Sequence, residues 1–232
     1  MTYFLINPKF PEFFIKKLSA YGFCIPVSTF PQIEEPVNEH PDMLAATVGD
    51  KLFIHTSDIR LASSLAKQHI KVSLSQTPVS ARYPNDIALN LFTVKKYLFA
   101  NVEHASRDVL AYAKLLGYEL VNVMQGYAKC STMLLGDSLV TADTSIYNAA
   151  LDRNIDSLLI SPGNIDIEKY DTGFIGGASG TLEEGKVVVF GNIEKHPDAQ
   201  SILAFAKKHD TEIISLGSGN LFDYGGFVRV NA

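Results

Sequence analysis

Hydrophobic and polar positions follow one repeated order along the chain. Two short apolar runs joined by a turn precede an amphipathic stretch, and a third apolar run follows it. In the first complete copy, residues 40–55, the apolar runs flank Gly49 and Asp50, a pair typical of a β-hairpin turn. A capping cluster that ends at Asp58 then precedes apolar positions 59, 62, 65 and 66, which recur at helical spacing. This order predicts a hairpin, a helix over 59–69 and a strand over 70–74.

The same order returns three times. It predicts hairpins within 86–100, 130–142 and 176–190, helices over 106–116, 145–151 and 196–208, and closing strands at 119–123, 157–160 and 212–216. The second hairpin strands, measured at Leu52, Leu98, Leu139 and Val187, are 46, 41 and 48 residues apart. Spacings between about 20 and 50 residues indicate a repeat architecture.

A fifth copy is divided between the two ends of the chain. Residues 224–230 supply one strand, while residues 3–6, 11–20 and 23–27 supply a strand, a helix and a further strand. Joining them in one unit removes exposed sheet edges. We therefore predict a single α/β domain over residues 1–232, a five-bladed β/α-propeller with pseudo-fivefold symmetry whose last blade is closed by both termini. An open doubly wound sheet is the alternative, but each copy carries a hairpin and no GxGxxG follows the first strand.

Composition and charge narrow the class of protein. The net charge of −5 disfavours a nucleic-acid surface, which is usually basic. No long basic run or apolar span indicates a membrane, and no signal peptide is visible at the start. The two cysteines form neither a disulfide framework nor a zinc motif, so we expect a reduced, cytoplasmic protein. No pattern indicates a nucleotide, flavin or metal cofactor, and none indicates an oligomeric state.

Candidate chemistry lies in the residues that precede the first strand of each repeat. In a ring of equivalent units these residues meet around the axis, and polar loops on a rigid scaffold commonly carry function. The substrate-binding residues predicted in this way are Asn85, Asp86, Lys129, Ser179 and Asp223.

Three further residues form a predicted catalytic set. Cys130 is a candidate nucleophile whose thiol pKa the adjacent Lys129 or a nearby histidine would lower. His40 is a candidate general base, and Asp42 would orient it or bind substrate. The simpler alternatives are a small buried cysteine at the start of a strand and a His-Pro-Asp turn.

Other histidines have structural interpretations. The tripeptide His40-Pro41-Asp42 recurs as His196-Pro197-Asp198, but the second copy begins a helix, where proline and aspartate are structural. Four more histidines lie at strand or helix ends and are expected at the surface or in caps: His55, His69, His104 and His209.

The repeat order over the whole chain resembles that of the pentein superfamily of guanidine-modifying enzymes, which includes deiminases, dimethylarginine hydrolases and amidinotransferases. At motif level the segments 125–132, 161–163 and 170–180 resemble an uncharacterised bacterial branch of this fold. The resemblance implies a nucleophilic cysteine in the last unit, after a glycine-rich turn, with a His-x-Asp motif one unit earlier. Here the glycine-rich turn is present, but Arg229 or Val230 stands at the cysteine position. Cys130 is in the third unit, and His40-x-Asp42 is in the first.

Two functions of different classes follow. In the first, Cys130 attacks the carbon of a small cationic guanidine or amidine, His40 handles protons, and Asp42 with Asp86 binds the cationic group. In the second, the protein is a non-catalytic binding or structural member of the fold, as its ribosome-binding translation factors are, and Cys130 is inert. The polar loops around Cys130 and His40 favour the enzyme.

Overall fold

The computed structural model describes residues 1–231. In chain order its strands are β1 (Thr2–Ile6), β2 (Phe23–Pro26), β3 (Ala45–Val48), β4 (Lys51–His55), β5 (Val72–Ser75), β6 (Phe92–Val94), β7 (Tyr97–Ala100), β8 (Glu119–Asn122), β9 (Thr132–Leu135), β10 (Ser138–Thr141), β11 (Ser157–Leu159), β12 (Ile165–Asp166), β13 (Ser179–Glu183), β14 (Lys186–Val189), β15 (Glu212–Ser215), β16 (Leu221–Phe222) and β17 (Phe227–Asn231).

Six α-helices accompany these strands in the described part of the chain. They are α1 (Glu12–Leu18), α2 (Pro41–Leu44), α3 (Ile59–Lys67), α4 (Arg107–Leu115), α5 (Thr144–Leu151) and α6 (Ala199–Lys208), with 3-10 turns at Val37–Glu39 and Ile193–Lys195. The predicted cap at Asp58 is present, because its carboxylate accepts a hydrogen bond from the Leu61 amide. Within residues 1–231, no helix has the length and apolar character needed to cross a membrane.

Five three-stranded sheets share one internal order. We number them sheet I (β17-β1-β2), sheet II (β3-β4-β5), sheet III (β6-β7-β8), sheet IV (β9-β10-β11) and sheet V (β13-β14-β15). The middle strand of each pairs antiparallel with one neighbour and parallel with the other, so that Phe53 lies opposite Ala46 and Ser73. A helix connects the two parallel strands, as a parallel crossover requires. The strands thus form small separate sheets, with no closed barrel among residues 1–231.

Both chain ends belong to sheet I. Strand β17 pairs antiparallel with β1, where Val228 lies opposite Leu5, and β1 pairs parallel with β2, where Phe23 lies opposite Tyr3. The two ends therefore complete one sheet, as the divided fifth repeat predicts.

Five apolar clusters lie between neighbouring sheets. Leu5 and Ile54 join sheets I and II in the first cluster, and Ala46 and Leu98 join sheets II and III in the next. Similar clusters join sheets III to IV, IV to V and V back to I. Each sheet therefore buries both of its faces against its neighbours.

Three local features differ from the sequence prediction. The strand expected at 86–92 begins only at Phe92, because the preceding residues form a turn in which the Asn90 amide bonds to the Ile87 carbonyl. His55, expected at the surface, is buried, stacked on Phe30 and hydrogen-bonded to the Met43 carbonyl. Strands β12 and β16 form a short parallel pair that no periodicity indicated.

Candidate functional site

The loops that precede the first strands are joined by hydrogen bonds into a continuous series. The Asp42 amide donates to the Gly225 carbonyl at 3.2 Å, and the Asn90 side chain donates to the Asp42 carbonyl at 3.2 Å. The Asn90 side-chain oxygen accepts from the Cys130 amide at 3.2 Å. The Gly177 amide donates to the Cys130 carbonyl at 2.9 Å, and the Gly177 carbonyl accepts from Gly226 at 2.7 Å. All five loops are thus held in contact with one another.

Asn90 is the central connector of this series. Its carboxamide nitrogen lies 2.9 Å from the Cys130 sulfur and 3.2 Å from the Met43 sulfur, and its oxygen also accepts from the Lys129 amide at 2.8 Å. Asn90 is 1% exposed. Because a buried amide with this many partners has a fixed orientation, it holds the Cys130 thiol in one position.

A cavity of about 230 Å³ opens beside these loops. Cys130, His40 and Asp223 contribute polar groups to its wall, and Tyr127 and Phe174 are prominent among its aromatic and apolar members. A concave, mostly apolar site with a few convergent polar groups is the usual form of a small-molecule site. The structure therefore brings the candidate nucleophile and the candidate base to one cavity.

Asp223 is placed by the short pair of β12 and β16. It directly follows β16, and its amide donates to the Asp166 carbonyl at 2.8 Å. Its carboxylate accepts from the Phe174 and Gly225 amides, each at 2.9 Å. A side chain at Gly177 would collide with this carboxylate, because an added Cβ would lie 2.0 Å from Oδ1. Burial nevertheless raises the pKa of Asp223 to about 6.

Asp42 is a buried carboxyl next to the Cys130 thiol. The thiol interacts with the carboxyl, no nitrogen or oxygen donor of residues 1–231 reaches either carboxyl oxygen in hydrogen-bond geometry, and the residue is 2% exposed. Burial, together with the nearby charge of Asp223, raises the pKa of Asp42 to about 8. The Asp42 carboxyl does not line the cavity of Cys130, but it lies close enough to the thiol for the two groups to interact.

His40 is neutral and tightly enclosed. Its Nδ1 lies 3.6 Å from an Asp223 oxygen and has no hydrogen-bond partner in the described chain. Gly225 packs on its side chain in a left-handed conformation (φ 77°), and a Cβ there would lie 2.3 Å from the His40 Cβ. Burial, with a contribution from the charge of Lys9, lowers the pKa of His40 to about 3. The imidazole therefore accepts a proton only when the charge of a neighbouring group in the cavity changes.

The Cys130 thiol is buried beside two carboxyls. Burial and the neighbouring carboxyls of Asp42 and Asp223 raise the pKa of Cys130 well above its usual range, and the Asn90 amide opposes the effect. Burial also lowers the pKa of Lys129, an effect that the same carboxyls oppose. A cation bound beside these groups would lower the pKa values of the thiol and of both carboxyls.

The other predicted substrate-binding residues occupy several places. Asp86 is buried and reaches the cavity through Tyr127, whose hydroxyl donates to it at 2.8 Å. Lys129 lines a second cavity further along the loops, and Asn85 is exposed beside a surface cavity on another side. Ser179 is buried and its hydroxyl donates to the Gly176 carbonyl at 3.3 Å. The structure thus gathers Asp223 and, indirectly, Asp86, but not Asn85 or Ser179, around the thiol.

The residues at the cysteine position that the resemblance implies do not reach this cavity. Val230 is buried in the cluster between sheets I and II, and Arg229 lines the second cavity. Asn90 and Phe174 are contacts that sequence reasoning missed, because buried amides and aromatics carry no periodic signal of their own. Within residues 1–231, no group of three His, Cys, Asp or Glu side chains is arranged to hold a metal ion.

Known structures with a similar fold are guanidine-modifying enzymes. SxtG, an amidinotransferase of the saxitoxin pathway from Microseira wollei, matches with a TM-score of 0.54 and 14% identity over 88% of this chain and 73% of its own. Agmatine deiminase of C. jejuni matches at 0.55 and 9% over 93% and 87%. DDAH of Pseudomonas aeruginosa, in complex with citrulline, matches at 0.52 and 8% over 93% and 92%.

These likenesses establish a mixed α/β fold of the pentein kind. No curated protein matches the sequence. Residues 5–228, nearly the full length, match the family of unknown function DUF6873. The chain is therefore a member of the DUF6873 family, with a fold that resembles the pentein enzymes.

Proposed function

We propose that this protein is a cysteine-dependent hydrolase or transferase that acts on a small cationic guanidine or amidine. The observation that carries the proposal is the shared cavity of Cys130, His40 and Asp223, with the buried Asp42 carboxyl next to the thiol but not in the cavity wall. The similar folds of an amidinotransferase, DDAH and a deiminase support the same class of substrate.

The charge of the substrate would activate the site. Without a ligand, the pKa values of Asp42, Asp223 and Cys130 are all raised, so the cavity disfavours negative charge. A guanidinium or amidinium beside these groups would favour ionised carboxylates and a thiolate, because an opposite charge stabilises the charged form of each. Planar cations of this kind also donate two parallel hydrogen bonds to one carboxylate, which suits the free oxygens of Asp42.

The reaction then proceeds through a covalent intermediate. The Cys130 thiol loses its proton to His40, and the sulfur forms a C–S bond to the central amidinium carbon. His40 returns the proton to the departing nitrogen as the C–N bond breaks. Water, or an amine acceptor in a transferase, attacks the same carbon and releases the thiol. Asp223 keeps the imidazole oriented, and Asp42 binds the cationic nitrogens.

We further propose that sheets I–V are the blades of a five-bladed propeller with pseudo-fivefold symmetry. Two observations support this arrangement. Apolar clusters lie between successive sheets and from sheet V back to sheet I. The hydrogen bonds among the five loops also return to their starting point, from Asp42 through Asn90, Cys130 and Gly177 to the Gly225–Gly226 turn.

Paired alkylating reagents test the proposed function. 2-Chloroacetamidine is cationic, 2-chloroacetamide is neutral, and both have nearly the same shape and the same leaving group. We expect the cationic reagent to label Cys130 at least tenfold faster than the neutral one at pH 7.5, measured by peptide mass spectrometry. Cys24 is the internal control, since it lies outside the cavity and burial alone raises the pKa of its thiol to about 11.

Substituting Asp42 separates attraction of the cation from simple accessibility. Asp42→Asn keeps the shape of the side chain and removes its charge, so the preference of Cys130 for the cationic reagent should fall towards that of Cys24. A Cys130 that resists both reagents, or reacts with them equally in the wild type, would support the non-catalytic binding protein instead.

A further inference from the structure

A second cavity, of about 180 Å³, lies among the first strands of the five sheets. Residues of β3, β6, β9, β13 and β17 all contribute to its wall, together with Lys129 from the loop before β9. Because every sheet supplies one strand, the cavity lies where the five sheets meet. Cys130, His40 and Asp223 do not line it.

Each of these strands turns one side chain towards the cavity. Along each strand, the residues on both sides of that position are buried, while the position itself is exposed in β3 and partly exposed in the other four strands, as strand alternation requires. The five residues are Thr47, Thr93, Leu134, Thr181 and Arg229. Three hydroxyls and a guanidinium therefore share one small space.

The wall of this cavity is positively charged. Lys129 and Arg229 line it, and no aspartate or glutamate does. Neither cation forms an ion pair with a carboxylate in residues 1–231. The Arg229 Nε is buried and has no hydrogen-bond partner in the described chain. Buried donors are normally paired, so this donor is available to an acceptor from outside the chain.

We propose that this cavity binds a small oxyanion, such as a phosphate, a sulfate or a carboxylate group. The guanidinium of Arg229 presents a planar set of donors that matches two oxygens of such a group. The threonine hydroxyls supply further donors, and the Lys129 ammonium adds a second positive charge.

The anion site is independent of the proposed reaction. Arg229 and the three threonines do not touch the cavity of Cys130. Lys129 is the one residue near both, since it also interacts with the charges of Asp42 and Asp223. Its substitution would disturb both sites, so it is not used in the test.

Titration calorimetry with inorganic phosphate, at constant ionic strength in sodium chloride, tests the proposal on the full-length protein. We expect binding in the wild type, at least tenfold weaker binding in Arg229→Gln, and measurably weaker binding in Thr181→Val, which keeps the side-chain volume. Arg60→Gln, which removes an exposed arginine on α3, is the matched control and should bind as the wild type does. Circular dichroism confirms that each variant is folded.

Two results would overturn the anion site. The first is a wild-type protein that binds neither phosphate nor sulfate nor acetate at millimolar concentrations. The second is a phosphate affinity that Arg229→Gln and Thr181→Val leave unchanged, which would place the bound anion elsewhere. Either result leaves the alkylation of Cys130 unaffected, so the two proposals fail separately.

Discussion

Replacing Asp42 by asparagine should stabilise the protein, and the gain should grow with pH. Asp42 is 2% exposed and neither of its oxygens has a hydrogen-bond partner in residues 1–231. Its pKa is raised from 3.8 to about 8 in the fold. When both folded and unfolded chains carry the protonated acid, there is no penalty. As the pH rises above 3.8, only the unfolded chain ionises freely, so folding becomes less favourable until the native carboxyl also ionises.

The raised pKa sets the size of the effect. Each tenfold change in a proton dissociation constant corresponds to about 1.4 kcal/mol, so a rise from 3.8 to about 8 corresponds to an upper value of about 6 kcal/mol. Water entering the adjacent cavity and movement of the Lys129 ammonium would relieve part of this penalty. We therefore expect Asp42→Asn to raise the free energy of unfolding by about 2 to 4 kcal/mol at pH 9, and by less at pH 5.

Urea unfolding at pH 5, 7 and 9 measures this difference. Asp137→Asn is the control, because Asp137 lies exposed in the turn between β9 and β10 and its substitution should leave stability unchanged at each pH. A difference between wild type and Asp42→Asn that stays constant across these pH values would refute the reasoning. A destabilised variant at pH 9 would show that the carboxylate is paired in solution. The same substitution should abolish the preference of Cys130 for a cationic reagent, so stability would be gained where function is lost.

Three other substitutions test the packing around the site. Gly225→Ala should lower the free energy of unfolding by at least about 2 kcal/mol more than Gly136→Ala does, because both glycines have positive φ but only Gly225 packs on His40. Urea unfolding of the two variants measures this difference. Asn90→Ala should lower the free energy of unfolding by about 3 kcal/mol and broaden the pH profile of Cys130 alkylation, because the amides and the sulfur that Asn90 orients lose their partner. An unchanged alkylation profile would contradict this role of Asn90. Leu135→Ala, in the cluster between sheets IV and V, should lower the free energy of unfolding by about 2 to 5 kcal/mol, measured by thermal or urea unfolding. A decrease below about 1 kcal/mol would contradict the place of Leu135 in a packed core.

The repeat order determined most of the secondary structure that the sequence could predict. Hairpins and amphipathic helices have strong periodic signals, so the helix predicted at 106–116 is found at Arg107–Leu115 and the hairpin at 40–55 at β3 and β4. The divided fifth repeat was also predictable, because the two chain ends had no other partners. These features rest on spacing that recurs along the chain.

Features that depend on single contacts were not predictable. In the sequence, Asn90 looks like a polar residue that interrupts an apolar strand. Its role as the connector depends on hydrogen bonds to residues of two other loops. Strands β12 and β16 are two residues long, which is too short for a period, yet they place Asp223. His55 ends strand β4, a place where the sequence predicts a surface residue, but Phe30 from a distant loop stacks on its ring. In each case tertiary contacts override the local pattern.

The position of the thiol is comparable with positions in the other sheets. Cys130 precedes Leu134 by four positions, and Met43, Gly177 and Gly225 likewise precede Thr47, Thr181 and Arg229 by four. Cys130 thus stands in sheet IV where Gly225 stands in sheet I. Gly225 packs so closely on His40 that no side chain fits there. In the proposed ring these positions converge, so a thiol from another sheet reaches the same cavity. The lack of a cysteine in the last unit therefore does not decide whether the protein is an enzyme. The preference of Cys130 for a cationic over a neutral alkylating reagent decides it.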